Sequence, residues 1–306
     1  MVERSKNSTH VVALFGEVLA DIFPDKTVLG GAPFNVARHL QAFEKHPVLV
    51  TRTGNDDLRE KFLAELSRLG MDDSGVQCDP QYPTGQVNVY MKDDKHTFEI
   101  LPNQAYDHIH AGVTHLITLA THPDLVYFGT LAQRVVESRL ALDTFLSDAK
   151  CPRFLDMNLR KPWYDKHMIR RSMLRSDIVK MNEEELDIVG DMFHAPSSND
   201  RERGLYLMHK FGFKQLLITC GAAGAWTLTS EGEDAKVSGQ KIDGELVDTV
   251  GAGDGFSAVC ILGILHNWPM QLMLNRASAF ATALCMIRGA APEFRDFYLP
   301  FIRDWN

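Results

Sequence analysis

An α/β protein of three layers, with helices on both faces of a mostly parallel central sheet, is what this sequence predicts. Short runs rich in β-branched and aliphatic residues (VVALFGEV, HPVLVTRTG, LVYFGTL, PRFLDMN, DIVKMN, QLLITCG) alternate with amphipathic segments such as VARHLQAF, REKFLAELSRLG, SRLALDTFLSDA and GLYLMHKFG. Strands that alternate with helices in this way read as βα repeats feeding a parallel sheet. One interruption adds a second, smaller element. Residues 84–100, TGQVNVYMKDDKHTFEI, alternate apolar and polar side chains about a KDDK turn, the pattern of a half-exposed hairpin. Residues 17–31, EVLADIFPDKTVLGG, form a similar polar-edged stretch between the first strand and the first long helix. Together these segments, about 17–30 and 84–102, are expected to build a small β-sheet lid over the main sheet. With no internal repeat and no long low-complexity linker, residues 1–306 are expected to form one domain.

Composition narrows the function classes. A chain of 306 residues can bury a substantial core. It is 45% apolar and 24% charged, without an apolar run long enough for a bilayer, so a disordered or membrane-spanning protein is not expected. The first ten residues, MVERSKNSTH, hold no apolar signal core. Five cysteines are scattered without CxxC or CxxH spacing, which argues against a zinc site and a disulfide framework and suits a reducing cytoplasm. A net charge of −8 with dispersed basic residues disfavours nucleic acid as a partner. A small anionic ligand would then need a local site built from backbone.

Residues 247–265, VDTVGAGDGFSAVCILGIL, supply a candidate. The apolar run after Gly253 suits a buried helix, so GAG falls at its N-terminus, where unpaired amides and the helix dipole favour an anion. Glycines let the main chain approach phosphate oxygens without a Cβ in the way. Asp254 in that first turn can be explained by helix stabilisation alone, about 0.3–1 kcal/mol. Beside an anion site, however, a carboxylate makes chemical sense when it takes a proton from a hydroxyl attacking the bound phosphate. The loop lacks the GxxxxGK[ST] of a Walker A and the third glycine of a dinucleotide fingerprint.

The stretch DTVGAGD (248–254) closely resembles the C-terminal signature of the ribokinase or PfkB family of carbohydrate kinases, and LGGAPFNVARHL (29–40) resembles that family's N-terminal sugar-binding signature. DMNLR (156–160), NEEE (182–185) and TCGAAGA (219–225) are similar to further family elements in the same order. The resemblance implies a ribokinase-like fold, a small β lid, and ATP-dependent phosphorylation of a hydroxymethyl group. Asp254 would be the base, with the amides of Gly251, Ala252 and Gly253 stabilising the transferring phosphoryl group. Asp21, Gly30, Gly31 and Asn35 match sugar-holding positions; Gly30–Gly31 would also serve as a turn and Asn35 as a helix cap. Arg160 corresponds to an arginine that reaches the phosphates or substrate. Asn182 and Glu185 resemble the pair that organises Mg2+ and its waters, although an acidic helix start explains them too. Thr219, Gly221 and Gly224 would line the nucleotide, together with Asn182, Gly251 and Gly253. Asp248, Val250 and Gly289 match positions that hold a monovalent cation, K+, in some members.

GEVLADIFPD, GGAPFNVA and QAYDHI (104–109) look most like the fructokinase branch, because Ala32 and Pro33 replace the lysine and glycine of the ribokinase signature. A ketohexose, fructose first, is therefore the expected acceptor, with Gln86, Asn88 and Phe98 of the lid as sugar neighbours. A 2-keto-3-deoxygluconate kinase, with Arg160 or Arg52 for the substrate carboxylate, is the second reading. A ribokinase or nucleoside kinase, using Phe23, Phe34 or Phe98 around a base, is the third. A non-catalytic sugar or nucleotide sensor on the same fold is the alternative from another class. Pairing of two lids in a homodimer is expected if the lid exposes an apolar face.

Overall fold

The computed structural model describes residues 10–92, 95–196, 199–239 and 246–305. Asp93 and Asp94, in the expected KDDK turn, lie outside the described residues. The chain begins β1 (Val11–Phe15), β2 (Leu19–Ile22), β3 (Thr27–Gly30), α1 (Ala32–Ala42), β4 (His46–Gly54), α2 (Asp57–Leu69) and β5 (Val76–Asp79). It continues with β6 (Gly85–Lys92), β7 (Lys95–Ile100), α3 (Ala111–Thr121), β8 (Leu125–Phe128), α4 (Val136–Asp148), β9 (Arg153–Asp156), α5 (Lys166–Leu174) and β10 (Ile178–Asn182). The last part holds α6 (Glu183–Met192), α7 (Asp200–Phe211), β11 (Gln215–Thr219), β12 (Gly224–Thr229), β13 (Asp234–Ser238), α8 (Ala252–Leu265), α9 (Met270–Leu284) and α10 (Leu299–Trp305).

Nine strands form the main sheet in the order β13-β12-β11-β10-β9-β8-β1-β4-β5. The pairs from β5 through β11 are parallel, and β12 and β13 add an antiparallel edge. Because side chains alternate along a strand, a sheet covered on both faces needs apolar residues at nearly every position. β1 illustrates this: Ala13 and Phe15 pack with Phe145, Ile169 and Leu207 of α4, α5 and α7. Val12 and Leu14 belong to the opposite core with Phe34, Phe62, Val259 and Leu274 of α1, α2, α8 and α9. These two cores make the three layers.

The small sheet, ordered β3-β2-β6-β7, is built from two excursions of the chain beyond the main sheet. The first leaves after β1 and returns as α1; the second leaves after β5 and returns before α3. Its β2–β6 pair is parallel, while β2–β3 and β6–β7 are antiparallel. Close glycine contacts seat the first excursion. A Cβ on Gly16 would lie 2.7 Å from Pro33 Cγ, and one on Gly31, at φ +111°, would lie 2.6 Å from the Glu17 carbonyl oxygen. The second is anchored at both ends. Asp56, the N-cap of α2, accepts the Thr84 amide at 2.7 Å and the Thr84 hydroxyl at 2.7 Å. At the return, Arg134 donates to both carboxylate oxygens of Asp107, at 2.6 and 2.8 Å, and to the Leu101 carbonyl at 2.7 Å. Its guanidinium also lies 4.4 Å from the centre of the Trp163 ring, behind the segment that carries Arg160.

Both members of the Arg134–Asp107 pair are nearly solvent-free, at 4% and 0% side-chain exposure. Removing one partner leaves the other as an unpaired buried charge. Asp107→Ala is expected to lower unfolding free energy by about 3–5 kcal/mol in urea titrations; a loss below about 1 kcal/mol would show that the pair does not anchor this segment.

Candidate active site

Two helix N-termini without side-chain caps meet at the carboxyl ends of the parallel strands. α1 starts at Gly31, held in a conformation that excludes a Cβ, and Pro33 suits its first turn because proline lacks the amide that would be unpaired there. α8 starts at Gly251, in the left-handed region at φ +80°, where a Cβ would lie 2.3 Å from the Ala290 carbonyl oxygen. Asn35 Nδ2 donates to Asp254 Oδ2 at 2.8 Å and joins the two helices across 219 residues of sequence. Since the amide nitrogen of Asn35 serves Asp254, its oxygen faces elsewhere, and Asn35 Oδ1 is buried without a partner. Of the expected amide cradle, Ala252 N donates to the Thr249 carbonyl at 3.3 Å, whereas no side chain caps the first turn of α8.

Three carboxyl groups around this junction are withdrawn from water and lifted out of the ordinary carboxylate range. Desolvation pushes Asp254 up to about 6; the Asn35 hydrogen bond, Lys180 and Arg160 pull it down, and Asp156 pushes it further up. Asp21 is also raised to about 6 by desolvation, against the attraction of Arg160. Glu17 is pushed up to about 7 by burial, opposed by its own amide, by Arg160 and by the Ala32 amide at the start of α1. Glu17 is 5% exposed, and its Oε2 is buried without a partner. Arg160, itself exposed, thus acts on Glu17, Asp21 and Asp254 together. Gly30 stands beside Asp21: a Cβ there would lie 3.6 Å from Asp21 Oδ2.

Strand register separates the expected lid residues. Asp21 is paired with Val28 and Val87, Val87 with Ile100, and Val89 with Phe98, so Asp21 and Phe98 share one face. Gln86 and Asn88, paired with Ala20 and Ile22, point to the other face, where Asn88 and Tyr90 donate to Glu99 at 3.3 and 2.9 Å. Their expected place beside the sugar is corrected by this register. Arg52 is likewise committed elsewhere, at 3.0 Å from Asp79, and Phe34 is fully buried against Phe62.

On the nucleotide side, Asn182 at the end of β10 is paired with Thr219 at the end of β11. Gly221 is in the left-handed region at φ +51° with open space where a Cβ would be. Gly224 needs its glycine, because at φ +111° a Cβ would lie 2.0 Å from the Val237 carbonyl oxygen. Asn182 and Glu185 form a reciprocal cap on α6, with Glu185 N donating to Asn182 Oδ1 at 2.8 Å and Asn182 N to Glu185 Oε2 at 2.9 Å. The other Glu185 oxygen accepts the Leu159 amide at 2.7 Å, next to Arg160. Among the described residues no group of three or more His, Cys, Asp or Glu side chains could hold a metal ion. The pair nevertheless fits a role toward Mg2+ through water, because each carboxylate oxygen keeps a second lone pair and this ion retains waters and phosphate oxygens. Asp248 gathers its expected neighbours, accepting the amides of Val250 at 3.0 Å and Gly289 at 3.1 Å.

Three polar residues absent from the sequence expectations complete the centre. Asp156, at the end of β9, accepts from Lys180 Nζ at 3.0 and 3.2 Å, from Ser257 Oγ at 2.7 Å and from Tyr127 OH at 3.2 Å. Lys180 had a visible signal, a cation inside the otherwise apolar strand IVKMN, two residues before Asn182 and hence on its face. Glu17 had only its closeness to Asp21.

The architecture is that of ribokinase-like sugar kinases. Residues 9–294 match the family described as pfkB family carbohydrate kinase, and the chain belongs to that family. It is a carbohydrate kinase. A fructokinase of Rhizobium leguminosarum bv. trifolii is 31% identical over 283 residues, 85% of this chain and 80% of that protein. The structure of Xylella fastidiosa fructokinase with bound ATP superposes with a TM-score of 0.78 at 17% identity, covering 96% of this chain and 98% of that one. A Vibrio cholerae O395 fructokinase double mutant, with fructose, ADP and potassium ion bound, gives a TM-score of 0.75 at 22% identity over 94% of this chain and 95% of that one.

A carboxyl whose pKa is raised by folding favours the folded state while protonated. The Glu17 contribution is therefore full below its ordinary value of 4.5 and is lost as pH rises through about 7, a difference of ~3 kcal/mol at most. Glu17→Gln removes this dependence. The melting temperature of the substrate-free variant is expected to exceed that of the parent by a margin that widens from pH 5 to pH 8, and a margin independent of pH would refute the burial argument.

Proposed function

We propose that this carbohydrate kinase transfers the γ-phosphoryl group of ATP to a hydroxymethyl group of a ketohexose, fructose above all. The observation that carries the reading is the Asn35–Asp254 hydrogen bond of 2.8 Å, which brings the sugar-side helix and the phosphate-side helix onto one carboxylate. The acceptor hydroxyl lies against Asp254, which removes its proton as the oxygen attacks phosphorus. Unpaired first-turn amides of α8 receive charge on the transferring group. Asp21 and the free Asn35 oxygen accept sugar hydroxyls, and Arg160 balances the acidic groups and faces the phosphates. Asn182 and Glu185 hold the waters of Mg2+, which supplies charge neutralisation on the phosphates when bound. The fructokinase relatives support the fructose assignment, and potassium in the Vibrio cholerae structure supports a K+ site at the joined Asp248, Val250 and Gly289 loops.

The small sheet acts as a lid that shields the transfer from water. Val28 and Phe98, 37% and 54% exposed on its Asp21 face, support pairing with the lid of a second copy. Five free cysteines and an ATP donor support a cytoplasmic setting. A 2-keto-3-deoxygluconate kinase remains the second reading, because exposed Arg160 could receive a substrate carboxylate while Arg52 is taken by Asp79.

Coupled ADP release measured with fructose, ribose, 2-keto-3-deoxygluconate, adenosine and no acceptor separates these readings, with fructose expected to give the highest kcat/KM. Turnover with 2-keto-3-deoxygluconate alone would replace the fructose assignment, and nucleotide binding with no turnover on any acceptor would favour the sensor. Asp254→Asn is expected to lower kcat by ~10²–10⁴ while sugar and ATP still bind. In the parent enzyme kcat/KM should fall as pH drops through about 6, where Asp254 takes up its proton; near-normal turnover of the variant would remove the base assignment.

A further inference from the structure

The amide cradle at the start of α8 has a charged floor that the family resemblance does not include. Lys180 rises from β10 with its side chain 9% exposed and donates to both oxygens of Asp156. Asp156 is held in turn by Ser257 of α8 and Tyr127 of β8. The ammonium is held in place, because its counter-ion on β9 is itself fixed by one further strand and one helix. Above it is Gly253: a Cβ on that residue would lie 3.3 Å from Lys180 Nζ, and among the described residues no other heavy atom outside the flanking residues and the helix's own backbone is within 4 Å of that position. An ammonium has three N–H groups, and the space beside Gly253 is where the first-turn amides of α8 open. The glycine therefore keeps a buried cation uncovered toward the cradle.

We propose that Lys180 is a positioning residue for phosphoryl transfer: a buried ammonium, fixed by Asp156 beneath Gly253, that keeps Asp254 ionised and adds positive charge under the amide cradle. This rests on the assignment of Asp254 as the base. Every element packed around Asp254 contributes to its charge balance. Asn35 of α1 donates to it, Glu17 after β1 and Asp156 of β9 oppose its ionisation, and Lys180 of β10 with Arg160 after β9 favour it. Tyr127 of β8 also faces it with its phenol neutral, held far above its ordinary range by burial. Lys180 is the cation among these that solvent does not screen, since Arg160 is exposed. The Lys180–Asp156 pair could alternatively be a purely structural pin between strands, and the test must tell the two apart.

Lys180→Met, Lys180→Arg and the double variant Lys180→Met with Asp156→Asn are compared with the parent, using circular dichroism for the fold and the pH profile of turnover for the charge. In folded Lys180→Met, kcat is expected to fall at least about tenfold while the acid limb of kcat/KM moves to higher pH by about one unit. Lys180→Arg retains the charge and should keep the limb at the parent position. The double variant removes both opposing charges, so its limb should return toward the parent while kcat stays low; it also supplies a neutral buried pair should the single variant fail to fold. A folded Lys180→Met with an unmoved limb, or a double variant with parental kcat, would overturn the proposal. Failure of the base assignment is read separately, from Asp254→Asn, which would then turn over normally whatever Lys180 does.

Discussion

A carboxylate in the first turn of a helix whose uncapped N-terminus favours an anion is an electrostatic conflict, and the surrounding structure is arranged around it. Asp254 is withdrawn from water, which lifts it to about 6, yet a base must be ionised near neutral pH. The Asn35 hydrogen bond, buried Lys180 and exposed Arg160 each favour the ionised form, against desolvation and Asp156. Position and charge are thus supplied by groups from three separate parts of the chain.

Close packing of backbone on backbone makes that convergence possible. The turn after β1 lies against the start of α1 only because Gly16 and Gly31 carry no Cβ, and α8 approaches the Ala290 carbonyl only through Gly251. The same close approach encloses Glu17. Its carboxyl lies close enough to the start of α1 for the Ala32 amide to favour its ionised form against the cost of burial. The glycine at the helix entry thus leaves the first turn of α1 without a side-chain cap and close to a buried acid from the turn after β1.

The layered fold was legible because both faces of the main sheet are covered, which forces continuous apolar strands such as VVALF, and because helical segments between them carry apolar stripes. Asp254 and Asn35 could be named from motifs, but their contact crosses 219 residues, and no local pattern encodes it. The lid residues show a different limit. Alternation in residues 84–100 marks two faces without saying which is inward, and the register with β2 decides it, putting Phe98 with Asp21 and turning Gln86 and Asn88 away. Asn182 and Glu185 were legible in two ways at once, as a cap and as organisers of metal-bound water; the reciprocal hydrogen bonds establish the first and leave free lone pairs for the second.

The site also divides by the kind of charge compensation it uses. In the proposed reading the sugar meets Glu17, Asp21 and Asp254, all raised by desolvation. The phosphates, in the same reading, meet backbone amides and the cations Lys180 and Arg160. Such an arrangement accepts a neutral polyol on one side and a polyanion on the other, and the reverse occupancy would place phosphate against three carboxyl groups. Asp254 sits on the boundary between the two halves, where the oxygen that starts as a sugar hydroxyl must end as a phosphate ester.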